Sequence, residues 1–275
     1  GLTPYAGHDW LICETTGGYE RALLEAAAAV GLTACRADAA RVKAFIASHG
    51  ARAKTDSIDA AWLSLYGLER AARLTPWRAP AAEREALGEL VRHRQDLLAQ
   101  RTRAKNRRSA PGGAVLLDLL DQQIAFLTAQ IARIDAQIDE LLKAHAQMAR
   151  DEAALRAIPG VGPVCARTLI ALLPELGRLG PKQAASLAGL APHPRDSGQI
   201  QRRRRMTAGR NGLKPTLFMA ALAATRAHPH LRLVYQRLIN AGKPKRLAIA
   251  AIARKLVVIA NAVIRDTSYN NPQLT

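Results

Sequence analysis

The sequence predicts a mainly α-helical chain that opens on a small α/β unit. Three observations carry this reading. Between Trp10 and Gly50, short apolar runs alternate with helix-length segments, the order of a parallel β-α-β arrangement. Leu120, Ile124, Leu127, Ile131, Ile134, Ile138 and Leu141 alternate spacings of four and three, which is an unbroken heptad stripe. Ile158-Pro159-Gly160-Val161-Gly162-Pro163 then separates two helical segments by a tight Gly-x-Gly turn.

The elements follow in order. Trp10 to Glu14 reads as a short buried strand, and Gly17-Gly18 as a turn. Tyr19 to Val30 is a helix closed by Gly31, Leu32 to Arg36 a second strand, and Asp38 to Ser48 a helix closed by Gly50. Two strands are few for an open sheet, so the chain is expected to begin inside a domain. Asp56 or Ser57 caps the next helix, which runs to about Arg73. Pro76 and Pro80 punctuate a linker, and a charged helix covers Glu83 to Arg108. After Pro111-Gly112-Gly113 the heptad helix begins, which predicts an antiparallel hairpin or an intermolecular coiled coil. Beyond residue 150 the pattern is almost wholly helical as far as Asp266, with a polar tail behind it. The expected divisions are therefore 1–80, 81–150, 151–266 and 267–275.

Composition narrows the function. Lys and Arg number 40 against 22 Asp and Glu, a formal net charge of +18. That excess calls for a polyanionic partner, of which nucleic acid is the default. Aromatic residues are only 4% of the chain, so tracking of phosphates is expected rather than stacking on bases. Cys13, Cys35 and Cys165 are scattered with no CxxC pair, so neither a zinc site nor a disulfide framework is indicated, and a reducing cytosol fits. His228 and His230 flank Pro229 and read as a loop rather than as metal ligands. No basic-then-apolar leader opens the sequence. The apolar tract Leu247 to Ile264 is broken by Arg254-Lys255 and reads as a buried amphipathic helix, not a membrane span.

Several constellations carry candidate chemistry. Ser197 stands in an Asp196-Ser197-Gly198 turn, with Arg202, Arg203, Arg204 and Arg205 close behind. This places a possible nucleophile beside a patch fit to hold a phosphodiester, although the same residues also make a solvated turn before a basic ribbon. Gly160 and Gly162 form the turn of a helix-hairpin-helix, where backbone amides at the second helix start favour an anion. Glu14 lies at a strand end, while Asp56 and Asp59 share one side of a helix. Such carboxylates suit Mg²⁺, and they equally suit capping and dipole compensation. Further cations crowd Arg101, Arg103, Lys105, Arg107 and Arg108, then Arg210 and Lys214, then Lys243, Lys245 and Arg246.

Five segments occur in a telling order: CETTGGYE (Cys13–Glu20), AKTDSIDAAWLSLYG (Ala53–Gly67), IPGVGPVCARTLIALLPELG (Ile158–Gly177), SLAGLAPHPRDSG (Ser186–Gly198) and GKPKRLAIAAIARKL (Gly242–Leu256). Together they resemble the DEDD transposases of the insertion-sequence-110 family, relatives of the Piv site-specific DNA invertase. The resemblance runs from Leu11 to Asp266. It implies an RNase H/RuvC-like N-terminal domain, a coiled-coil spacer and a helical C-terminal transposase domain. By that likeness Glu14, Asp56 and Asp59 match three of the four metal-holding carboxylates, and Ser197 matches the serine nucleophile. The resemblance also implies double-stranded DNA as substrate, a structured guide RNA, Mg²⁺ and assembly into dimers or tetramers. The family's first aspartate has no counterpart, since Asp9 lies only five residues before Glu14, so the domain is expected to be N-terminally truncated. Three other readings stay open: a non-catalytic nucleic-acid-binding remnant, a RuvC-like junction nuclease using metal-activated water, and a structural helical protein.

Overall fold

The structure is a computed structural model that describes residues 10–50, 56–112, 114–193, 205–206 and 209–269. It divides into two compact units, Gly1–Pro80 and Ala81–Thr275. The whole is mainly helical, with one small parallel sheet in the first unit.

In the first unit, β1 (Trp10–Glu14) and β2 (Thr33–Ala37) pair in parallel, Trp10 opposite Thr33 and Glu14 opposite Ala37. The crossover is α1 (Glu20–Ala29), whose Leu24 and Ala27 pack with Cys13, Leu32 and Ala34 on one face of the sheet. The other face is covered by α2 (Ala39–Ser48) and α3 (Asp56–Arg70), through Val42, Phe45 and Tyr66. Asp38 starts α2 by accepting the Arg41 amide at 3.0 Å, the ordinary work of an N-cap aspartate. A 3₁₀ turn, Ala71–Arg73, ends α3 earlier than the apolar pattern suggested.

In the second unit, α4 (Ala82–Arg108) and α5 (Leu117–Ala144) form a long antiparallel hairpin. Its register shows in polar pairs. Arg94 meets Asp135 at 2.6 Å, Arg101 meets Thr128 at 3.3 Å, and Arg108 pairs with Asp121. Each step advances one heptad on α4 and retreats one on α5. The stripe is buried at Leu120, Leu127, Ile131 and Ile138, and beyond it Leu142, not Leu141, takes the buried place. The lower hairpin enters the main core: Leu87, Val91, Ile138 and Leu142 join the residues of the helices that follow. That core therefore runs across residue 150 without a break.

Those helices are α6 (Ala146–Arg156), α7 (Pro163–Leu172), α8 (Pro181–Leu187), α9 (Leu213–Ala227), α10 (Pro229–Asn240) and α11 (Lys245–Tyr269). Pro163, Pro181 and Pro229 each open a helix, where a missing amide hydrogen costs nothing. The segment around Pro229 is thus a helix start and not a loop. His228 caps it, its Nδ1 accepting the Leu231 amide at 3.4 Å.

Among the described residues two helical stretches, Ala114–Ala144 and Lys245–Asp266, are long and apolar enough to cross a bilayer by length and composition. In the second, Ile252, Ala253, Leu256, Val257 and Ala260 are wholly buried in the core, while Arg254 and Lys255 face outward. Asn261 on the same helix is buried yet satisfied: it accepts the Gly177 amide and donates to the Leu179 carbonyl, both at 2.8 Å. Arg265 donates to the Gly177 carbonyl at 3.2 Å and, at 3.0 Å, to the same Leu179 carbonyl, so α11 clamps the turn that leads into α8.

Candidate nucleic-acid interface and carboxylate site

Glu14 ends β1 at the carboxyl edge of the sheet, half-buried, with no hydrogen bond or ion pair to its carboxylate among the described residues. Asp59 lies in the first turns of α3, also half-buried and also uncommitted among those residues. Asp59, Leu63 and Tyr66 recur at helical spacing, and Leu63 and Tyr66 pack into the sheet face. The side chain of Asp56, in the same helix, lies outside the described residues. Free carboxylate oxygens are the hard donors that a divalent cation such as Mg²⁺ takes. Among the described residues, however, no three Asp, Glu, His or Cys side chains group closely enough to hold a metal ion.

The turn behind Glu14 is held by a residue the sequence reading passed over. Glu20 is buried and accepts three hydrogen bonds: the Thr16 amide and hydroxyl at 3.1 Å each, and the Gly18 amide at 2.9 Å. Arg36 approaches its other oxygen at 3.5 Å. Burial pushes the Glu20 carboxyl up, but the backbone and hydroxyl donors outweigh it and hold the pKa at about 2. The sign follows from this. A depressed carboxylate contributes stability above its unfolded value of about 4.5, and that contribution is lost as pH falls from there toward 2. Glu20→Gln is expected to destabilise the first unit by about 1–2 kcal/mol at neutral pH. The loss is expected to shrink across that acid window. All three tryptophans, Trp10, Trp62 and Trp77, belong to this unit, so denaturation followed by tryptophan fluorescence measures it. A first-turn glutamate after Thr-Thr-Gly-Gly is the one sequence signal for Glu20. It reads as dipole compensation until the turn is seen to fold back on it.

In the second unit, Pro192–His193 (β3) and Arg205–Met206 (β4) form a short antiparallel ladder. By chain order the ladder joins the ends of segment 194–204, which contains Ser197, Arg202, Arg203 and Arg204. Those four residues, like Asp9, lie outside the described residues, as does the side chain of Arg205. The ladder is buttressed from below. Lys214 donates to the Met206 carbonyl at 2.9 Å. The Arg210 guanidinium meets Glu175 in a two-pronged pair at 2.7 Å and donates to the Leu172 carbonyl at 3.0 Å. Burial acts to raise the Glu175 carboxyl, but Arg210 wins and holds it low. Arg210 and Lys214 are therefore engaged within the fold, an arrangement their place in a basic run did not suggest.

Beside the ladder lies a cavity of about 670 Å³. Pro192 and Met206 form one wall, the start of α11 with Pro244 and Leu247 another, and Lys243 and Arg254 supply its cations. Lys243, Lys245 and Arg246 are all exposed at this end of α11. Arg103 and Lys105 are exposed on the last turns of α4, with no acidic partner among the described residues.

The glycine turn between α6 and α7 divides into two environments. Gly160 has φ +97°, and a methyl built on it would stand 2.6 Å from the backbone of Ala224 on α9. Gly162 caps α7 with nothing within 4 Å of the corresponding position. It borders a second cavity of about 600 Å³ between α7 and α9. Gly160 lines the same cavity, and Gly162 is the more exposed of the two.

Exposed cations at the end of α4 and the start of α11, with an uncapped helix start at Gly162, are features that suit a nucleic-acid partner. Comparison makes this specific. Residues 152–236 match the model described as Transposase IS116/IS110/IS902 family, and residues 5–110 match the IS110 DEDD model described as Transposase. The chain is 30% identical over 264 residues to the pilin gene-inverting protein of Moraxella bovis, covering 93% of this chain and 80% of that protein. It is 32% identical over 213 residues to an uncharacterized 43.6 kDa protein of insertion element IS110 from Streptomyces coelicolor, covering 71% and 51% respectively. An uncharacterized 42 kDa protein of insertion element IS900 from Mycobacterium paratuberculosis is 29% identical over 232 residues, covering 76% and 56%. The chain belongs to the IS110 family of transposases.

Proposed function

We propose that this chain is a cytoplasmic, RNA-guided DNA transposase that cuts and rejoins strands through Ser197. The observation that carries the reading is the β3–β4 ladder. Its strands flank segment 194–204 in the chain, and its residues Pro192 and Met206 line a cavity together with Lys243 and Arg254. In the proposed step the Ser197 hydroxyl attacks phosphorus and gives its proton to a base, and the P–O bond to one deoxyribose oxygen breaks, that oxygen taking up a proton to leave as a hydroxyl. A phosphoserine ester then joins protein to DNA. Attack by a hydroxyl on another end restores serine and reseals the strand without ATP. Arg202, Arg203, Arg204 and Arg205 supply positive charge for the phosphoryl transition state. Glu14, Asp56 and Asp59 are the residues proposed to hold Mg²⁺, which when bound polarises the phosphate oxygens.

Within this reading the first unit is an RNase H/RuvC-like domain, α4 and α5 are a coiled-coil spacer, and α6 with α7 form a helix-hairpin-helix. Arg101, Arg103, Lys105, Gly162, Lys243 and Lys245 contact phosphates of DNA or of a structured guide RNA. Val115, Leu119 and Phe126 are exposed on the hairpin and support assembly into a homo-oligomer. The test is to trap a covalent protein–DNA adduct on a denaturing gel, with element-end DNA, the flanking transcript and Mg²⁺. An adduct that needs all three establishes the reading. Salt-sensitive binding of the same nucleic acids with no adduct rejects it in favour of a binding remnant.

A further inference from the structure

Four arginines of the first unit converge on one cavity that no motif announced. Arg36 stands on β2, Arg41 in the first turn of α2, Arg70 at the end of α3, and Arg73 in the turn behind it. They line a space of about 620 Å³, within the usual range of roughly 300–1,000 Å³ for ligand cavities. Buried Phe45 and Tyr66 form part of its wall, which lowers the local dielectric and strengthens any charge interaction there. Arg70 lies over the Phe45 ring at 5.8 Å, and Arg36 reaches Glu20 at 3.5 Å. Arg41 and Arg73 have no acidic partner among the described residues. Among the described residues Asp38 is the one carboxylate in the lining, and it is engaged in capping α2. Like charges that line one cavity repel one another, and an anion between them relieves the repulsion. The fold nonetheless holds them together: the Trp77 amide donates to the Ala34 carbonyl at 2.7 Å, which ties the segment behind Arg73 to β2.

We propose that this cavity binds consecutive phosphates of a nucleic-acid backbone. Guanidinium groups match phosphate oxygens two at a time, and four of them suit a chain of phosphates better than a lone anion. The cavity includes Ala37, which stands opposite Glu14 in the sheet register. A backbone seated there runs past the same carboxyl edge that carries Glu14, the edge where open α/β sheets bind ligands. The proposal rests on the nucleic-acid reading above and deepens it, by giving the first unit a grip of its own.

The test uses the full chain and the double variant Arg41→Ala/Arg73→Ala, with Arg41→Gln/Arg73→Gln as a second pair should the first fold poorly. Binding of duplex DNA and of a structured RNA is measured by anisotropy across salt concentrations. The variant is expected to bind at least about tenfold more weakly, with a log–log salt slope shallower by about two for duplex DNA. A loss confined to DNA, or to RNA, assigns the strand; a loss with both assigns the shared backbone. Wild-type affinity and slope with both nucleic acids overturns the proposal. Inorganic tripolyphosphate supplies an independent arm. It is expected to raise the wild-type melting temperature, read by tryptophan fluorescence, and not that of the variant. If wild type binds neither nucleic acid, the proposed function fails and the backbone assignment with it. A tripolyphosphate shift that the variant loses would then still establish a phosphate site.

Discussion

Under the proposed function, Ser197→Ala is expected to abolish the covalent adduct and lower strand joining by on the order of 10⁴-fold or more, with DNA binding within about twofold of wild type. The size of the effect follows from the role. A hydroxyl that forms the bond has no substitute in a methyl group, and neither metal polarisation nor arginine charge replaces it. The binding term is different in kind. Affinity for a polyanion comes from neutralised phosphates, and a neutral serine neutralises none. The two readouts therefore separate. Alanine variants of Lys243 and Lys245 are expected to behave oppositely, with a shallower salt slope and weaker binding at all sequences but adduct still formed at saturating DNA. Cleavage that persists undiminished in Ser197→Ala without an adduct would reject serine chemistry and favour a junction nuclease that activates water on its metal.

What was legible in the sequence depended on how local its cause was. β1, α1, β2 and α2 were legible because each is short, periodic and closed by a glycine or a cap that acts within a few residues. The hairpin was legible because one heptad stripe writes the same instruction seven times. The main core was less so, since nothing at residue 150 marks that Ile138 and Leu142 continue into it. The site was legible only in part. Glu14, Asp59, Lys243 and Lys245 stand at element ends, where the sequence puts them. The two-residue ladder has no period to read. Arg210 looks like one cation among many until Glu175, 35 positions away, takes its guanidinium. Arg36, Arg41, Arg70 and Arg73 form two loose pairs in sequence and one cluster only in space. These are tertiary facts, and pattern has no access to them.

Gly160→Ala is expected to cost the second unit about 3 kcal/mol or more, whereas Gly162→Ser leaves its stability nearly unchanged. The two glycines look equivalent in Gly-Val-Gly, and a phosphate-gripping turn would need both. The structure gives them different reasons to be glycine. At Gly160 the backbone is left-handed, at φ +97°, and a methyl would meet three atoms of Ala224 at 2.6 Å, two of them backbone. Relief requires α9 to move, and α9 carries Leu217, Ala221 and Ala224 into the core. At Gly162 the backbone is extended, at φ −86°, with open space around it, and serine is a preferred helix cap. Thermal unfolding followed by far-ultraviolet circular dichroism reads this unit, because its helices dominate the signal and it holds no tryptophan. Binding then separates structure from contact. If the α7 amides hold a phosphate, the side chain of Gly162→Ser crowds it, and affinity falls several-fold in a chain that melts like wild type. Unchanged affinity in that variant would make the turn a packing device alone. The nucleic-acid contacts of this unit would then rest with the cations of α4 and α11.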